Sequence, residues 1–420
     1  MCKERAHGEW AVRRPWQGRP LSEAQAPEEA LMQAANGGTP MHDPSPATFA
    51  PLAEHWGRAA LYVRDFESTG LSASAISRRT FLAGGTAVGA SLLLGQVAEA
   101  GGSRGGEGLK EYKIVANGIS LHVTEQGEGP AVLFCHGFPD TSFTWRRQMT
   151  AIASAGYRAI APDMRGYGRS SAPADANLYT PLQTTGDLVG LLDALKIPSA
   201  VLVGHDWGAS HAWGAALMRP DRFKALFCLS VPYVPRGDVS VFEKMRTSGH
   251  QDDFYMFEQI RPEADQIWAD AAVTIPGILY WASASAPADK RWSPMDPARS
   301  LHRPAPGPLP SWAEPDYVAH NITEFQRTGF HGALNYYRAA EPYFYLSAAW
   351  KGAKINQPSF FIAGNADGLL QLYPPMDQLR VGLPGLVMSL ELNVGHWIQH
   401  EASADVSDQL VKFLRTVNPA

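Results

Sequence analysis

Residues 199–220, SAVLVGHDWGASHAWGAALMRP, constrain the fold of this chain more tightly than any other stretch. The apolar run to Val203 reads as a buried strand, and the Ala-rich run after Gly208 reads as a helix. Only a few residues turn one into the other, with Gly204 and Gly208 placed two residues on either side of Asp206. So sharp a reversal presses backbone against backbone, which is feasible where no Cβ intervenes. The middle side chain is thrust outward, with the following backbone N–H turned toward it. The side chain presented here is a carboxylate.

The flanking sequence repeats the same alternation. YKIVANGISLHVTEQG predicts two short strands around an Asn117-Gly118 turn, and PAVLFCHGF and YRAIAPD predict two buried strands. Between those two lies SFTWRRQMTAIASAG, helical in period and stopped at Gly156; DLVGLLDALKI predicts a second helix and FKALFCLSVP a further strand. Strands alternating with helices indicate an α/β fold, a mostly parallel sheet covered by helices on both faces. From about residue 236 to 351 the rhythm breaks into aromatic-rich helical stretches and Pro-rich loops such as HRPAPGPLP. It resumes with PSFFIAGNAD and GLVMSLELNVGHW and closes on the helix SADVSDQLVKFLRTV. The expected organisation is a core over 109–235 and 352–420, with an inserted helical cap over 236–351 lying on the carboxyl edge of the sheet. Ligands bind at that edge in open α/β sheets.

Three titratable residues fall at expected strand ends: Asp206, then Asp367 in GNAD, then His396 in NVGHW. Singly, each has a plainer reading as a turn, a loop cap or a buried histidine. Together they stand in the order nucleophile, acid, base. HGFPD adds a fourth strand end, whose Phe138 N–H can join that of Trp207 in an oxyanion hole, with Pro139 stiffening the turn.

HGFPD, APDMRGYGRS, GHDWGA, SVPYVP, GFHGALNYYRA, FIAGNADG and GHWIQHE together resemble the soluble epoxide hydrolases of the α/β-hydrolase fold, across Leu109 to Val417. The resemblance implies Asp206 as nucleophile, His396 as the base that activates water, and Asp367 as its orienting acid. It implies that His136 shapes the oxyanion loop, that His136, Pro139 and Trp207 contact substrate, and that Tyr337 is one of two cap tyrosines holding the epoxide oxygen; Tyr336 is expected to pack within the cap. For the second tyrosine the text DDFYMFEQIRPEA departs from the family pattern: alignment on Pro262 selects Tyr255, and alignment on Gln259 selects Phe254, which has no proton to donate. Tyr255 is the choice that keeps the chemistry.

A carboxylate suits this chemistry because it can attack a saturated carbon and open a strained ring, leaving an alkyl ester on the protein. Water then attacks the carbonyl of that ester, so the oxyanion hole must surround the aspartate itself. A dehalogenase of haloalkanes or haloacids uses the same nucleophile and stands as the alternative, with Trp207 cradling a halide. A non-catalytic binding protein on this fold is a further alternative. The expected partners are a small apolar epoxide and water; no cofactor or metal is implied. The formal net charge of -5, without basic clusters, argues against nucleic acid. Cys135 and Cys228 lie in strand-like runs, and with Cys2 they form no disulfide or metal pattern. The sequence carries no signal for oligomeric state.

Residues 1–70, rich in Pro, Ala, Gly and charge, are expected to be a disordered leader or an over-long gene start. Over 71–100, SRRTFLAGGTAVGASLLLGQVAEA carries the twin arginine Arg78-Arg79, a weakly apolar stretch and an Ala-x-Ala ending at Ala100. It resembles a Tat export signal. The expectation is an exported protein, periplasmic or secreted, that meets the Tat machinery, or a cytoplasmic one if the signal is unused.

Overall fold

The computed structural model describes residues 108–417. The expected leader over 1–70 and the signal over 71–100 lie outside the described residues. An eight-stranded sheet forms the centre: β1 (Lys110–Ala116), β2 (Ile119–Gln126), β3 (Ala131–Cys135), β4 (Arg158–Pro162), β5 (Ala200–His205), β6 (Phe223–Leu229), β7 (Ser359–Gly364) and β8 (Leu386–Leu392). Its spatial order is β1-β2-β4-β3-β5-β6-β7-β8; β1 and β2 pair antiparallel, as do β2 and β4, and the remaining pairs are parallel. The central strands β3, β5 and β7 are buried along their whole length, because helices cover both faces and alternation has no water-facing side to serve.

Among the helices of the core, α1 (Arg146–Ser154), α2 (Pro181–Ala194) and α3 (Trp207–Met218) follow the strands in turn. Helix α2 starts earlier than DLVGLLDALKI suggests, at Pro181, where a missing N–H costs nothing and the fixed φ of proline is already helical. Short helices then fill the long interval: α4 (Val241–Thr247), α5 (Tyr255–Ile260), α6 (Ala264–Trp268), α7 (Ala271–Trp281), α8 (Pro315–Thr328), α9 (His331–Arg338) and α10 (Ala340–Leu346). The chain returns through α11 (Ile398–Glu401) and ends on α12 (Ser403–Val417), which packs on α1.

One apolar cluster joins one face of the sheet to the inserted helices and includes Trp268, Phe330, Tyr336 and Tyr337. A second lies on the opposite face beneath α1 and α12, around Phe134, Trp145, Phe227 and Phe413. The register sets Cys135 beside Gly204 and Gly204 beside Cys228, so β3, β5 and β6 end level with one another. The loops after β3, β5, β6, β7 and β8 therefore meet at one edge.

Candidate active site

The β5–α3 turn holds Asp206 at φ +55°, ψ -124°, a conformation rare for a side-chain-bearing residue. A Cβ on Gly208 would overlap the carbonyl of Cys135, and one on Gly204 would press on the backbone of Gly208 and Ala209. The elbow closes only with glycine at both places. Asp206 Oδ1 accepts the Phe138 N–H at 2.8 Å, and the Trp207 N–H also favours its ionised form. Burial pushes the Asp206 carboxyl up; His396 and the two N–H groups oppose that without cancelling it.

His396 Nε2 lies 3.8 Å from Asp206 Oδ2, beyond hydrogen-bond length, while its Nδ1 lies 3.0 Å from Asp367 Oδ2. Asp367 caps the turn after β7, its Oδ1 accepting the Leu369 N–H at 3.0 Å. Burial works against a charged His396, yet the carboxylates of Asp367 and Asp206 outweigh it and its pKa is raised. The two oxygens of Asp206 thus have different surroundings: Oδ1 is tied to backbone, and Oδ2 faces the imidazole without a hydrogen bond to it.

A small cavity of about 10 Å³ sits above Asp206, walled by Phe138, Tyr255, Trp292, Tyr337, Leu369 and His396, among others. That is room for a single water at most. Tyr337 meets Phe138 edge to face at 5.3 Å, Trp207 at 5.0 Å and Tyr255 at 6.1 Å between ring centres. Tyr255 opens α5 on the cavity wall, whereas Phe254 packs against Phe242 and Phe257. Burial lifts both phenols well above their ordinary value, so they stay protonated donors. Tyr336 bonds through its hydroxyl to the Arg165 carbonyl at 3.1 Å and stays out of the cavity.

The three expected substrate contacts His136, Pro139 and Trp207 do not line this cavity. His136 is buried beneath the loop: its Nε2 accepts the Met164 N–H at 2.9 Å, so the remaining proton sits on Nδ1, which donates to the Gly137 carbonyl at 3.1 Å. Both ring nitrogens are spent on backbone, and burial takes its pKa down to about 4, leaving a neutral support for the loop. Pro139, joined to Phe138 by a cis peptide, is not on the cavity wall, because Phe138 fills that place. The Trp207 ring packs edge to face on Tyr337, which lines the cavity.

Sequence reasoning missed several site residues. Ser230, after β6, bonds to Asp367; Trp292, Ile278 and Leu301 wall the cavity from the inserted segment. Glu401 accepts the N–H groups of Gly395 and Ala284 at 3.0 and 2.9 Å and pins the His396 loop. SVPYVP and GHWIQHE contain Ser230 and Glu401, and only their residue type at a strand or loop end signalled a polar task. Among the described residues no group of three His, Cys, Asp or Glu side chains is placed to hold a metal.

Comparison with known proteins gives a consistent picture. Residues 130–403 match the model of the alpha/beta hydrolase fold family. Over 313 residues the chain is 81% identical to an epoxide hydrolase of Caballeronia sordidicola, covering 74% of this chain and 95% of that one. It is 44% identical over 264 residues to epoxide hydrolase 3 of Siraitia grosvenorii, covering 62% and 81%. The crystal structure of epoxide hydrolase A from Mycobacterium thermoresistibile superposes with a TM-score of 0.69 at 37% identity, covering 73% of this chain and 98% of that one.

Proposed function

The chain belongs to the α/β-hydrolase fold family, and from that premise we propose that it is an epoxide hydrolase, converting an epoxide and water into a vicinal diol. The observation that carries the mechanism is the division of labour within one carboxylate: Asp206 Oδ1 is held by the Phe138 N–H, and Oδ2 is free of hydrogen bonds to His396.

In the first step Oδ2 attacks an epoxide carbon. The C–O bond breaks, and Tyr337 and Tyr255 hydrogen-bond the oxygen as it gains charge, one of them giving up its proton. A phenol fits this task in an apolar pocket, where a cationic donor is costly to bury. An alkyl ester of Asp206 remains. In the second step His396 Nε2 takes a proton from water, and the hydroxide attacks Cγ of that ester. Negative charge then falls on Oδ1, which already accepts the Phe138 N–H, and the Trp207 N–H also favours the charged carboxyl group. Collapse expels the diol as alkoxide, which takes the proton from His396; Asp206 is left as a carboxylic acid, and the proton it releases returns the phenol to its resting form. Asp367 supports the imidazolium between these events. In this reading the segment 236–351 is the cap that supplies the acids.

The test is a panel of styrene oxide and of aliphatic, trans-disubstituted and fatty-acid epoxides, with chloroalkanes as controls. Diol without halide release is expected, and Asp206→Asn should abolish it. Halide release in place of diol moves the chain to the dehalogenases, and diol formation by the Asn variant, with deamidation excluded, refutes the covalent route. For localisation, the Arg78-Arg79 pattern supports Tat-dependent export. Replacing both arginines by lysine should hold the protein in the cytoplasm; export unaffected by that change refutes the assignment.

A further inference from the structure

Ser230 follows β6 at φ +69° and is fully buried. Its hydroxyl donates to Asp367 Oδ2 at 2.7 Å and lies 3.1 Å from His396 Nδ1. The same Oδ2 takes the Nδ1–H of His396 at 3.0 Å, so one carboxylate oxygen is shared between a hydroxyl and an imidazole. The Ser230 N–H donates to the Ile362 carbonyl at 2.9 Å, which fixes this backbone against β7. A positive φ is costly for an L residue and persists where surrounding contacts determine it.

We propose that Ser230 is a positioning residue of the water-activating pair: by occupying one lone pair of Asp367 Oδ2 it limits how tightly that carboxylate holds His396. This rests on the epoxide-hydrolase reading above and deepens it. The pair has two opposed duties. It must orient the imidazole and support its positive charge, yet leave it neutral when water arrives. A carboxylate oxygen bonded to the imidazole alone concentrates its charge there and retains the proton; a second donor on that oxygen draws charge away.

Other groups also face the pair, and the carboxylates of Asp206 and Glu401 both favour the charged imidazole. Asp206 stands across from Nε2 at 3.8 Å, and Glu401 is spent on backbone N–H groups. His205, kept neutral chiefly by burial, bonds to the His396 carbonyl at 2.8 Å. From the inserted segment and the loop after β7, the Tyr255 and Tyr373 phenols face Asp367, and Arg291 reaches the Ala366 carbonyl at 3.5 Å. Among the described residues only Ser230 and His396 hydrogen-bond to Asp367 Oδ2.

The experiment compares wild type with Ser230→Ala and Ser230→Gly; glycine removes the hydroxyl and also relieves the positive φ, so it guards against a folding defect. Single-turnover kinetics with styrene oxide separate ester formation from ester hydrolysis. Both variants should form the ester within about twofold of the wild-type rate. The acid limb of hydrolysis should move up by about half to one pH unit, so that hydrolysis near neutral pH slows about three- to tenfold and recovers at high pH. Titration of the His396 ring by NMR, without substrate, should move up by the same amount. An unmoved His396 titration, or a loss of rate equal at every pH, overturns the proposal and leaves Ser230 a packing residue. Absence of both ester and diol in the wild type, with the NMR shift present, overturns the activity assignment and leaves the Ser230 contact intact.

Discussion

Replacing Tyr337 or Tyr255 by phenylalanine removes one oxygen from a cavity with room for a single water at most. Tyr337 is buried and Tyr255 half-buried, their ring centres 6.1 Å apart and edge to face on the wall of a cavity of about 10 Å³. The ring packing survives the substitution, so the effect falls on the hydrogen bond to the opening epoxide oxygen. A hydrogen bond to a charged group contributes about 1.5–3 kcal/mol, and each 1.36 kcal/mol is tenfold in rate. Either single variant should therefore form the Asp206 ester about 10- to 150-fold more slowly, because the second phenol still donates. The double variant should lose more than either single one, though by less than the product if the two act as a unit. The assay is single-turnover ester formation, followed by quenching of tryptophan fluorescence and by intact mass. Hydrolysis of the ester, once formed, should be little changed, since no charge develops at the phenols in that step. If Tyr255→Phe forms the ester at the wild-type rate, Tyr255 is no acid. If the double variant does so as well, the proton reaches the epoxide by another route and the reasoning fails.

Three more expectations come from the same geometry. His396→Gln should form the ester and stall, giving an adduct of epoxide mass on the Asp206 peptide; its absence with a substrate the wild type consumes refutes the two-step scheme. Asp140 is buried with a pKa raised to about 6, burial outweighing its bonds from Thr141, Tyr317 and Asn321. Its folded pKa lies above the unfolded value, so its ionisation costs stability as pH rises between about 4 and 6, and Asp140→Asn should be up to about 3 kcal/mol more stable at pH 8 in urea titrations; equal stability at pH 8 contradicts this. Gly208→Ala sets a Cβ against the Cys135 carbonyl and should cost about 3 kcal/mol or more, visible as a lost melting transition or insolubility.

The route from sequence to site was short where the chemistry is local. Gly204, Asp206 and Gly208 announce an elbow because close backbone approach is a demand on residue type at fixed spacing. The strand-end placement of Asp367 and His396 follows from periodicity, since a parallel sheet sends every strand end to one edge. The inserted segment was harder to read. DDFYMFEQIRPEA left Tyr255 and Phe254 as alternatives, and the choice depends on which ring α5 turns toward the cavity. Trp292 lies in a stretch of Pro-rich loops with no period to interpret.

What the sequence determined by itself is the α/β architecture and the placing of Asp206, Asp367 and His396 at strand ends along one edge. These rest on periodicity and turn stereochemistry, which neighbouring residues dictate. Only tertiary structure decided that His136 spends both nitrogens on backbone, that Trp207 packs edge to face on Tyr337, and that Ser230 shares an oxygen of Asp367 with His396. Apart from the His136–Gly137 bond between neighbours, those are relations between residues 28 to 166 positions apart, where hydrogen bonds form at about 3 Å. No spacing along the chain encodes such a distance; the packing of β6, β7 and the helices above them sets it.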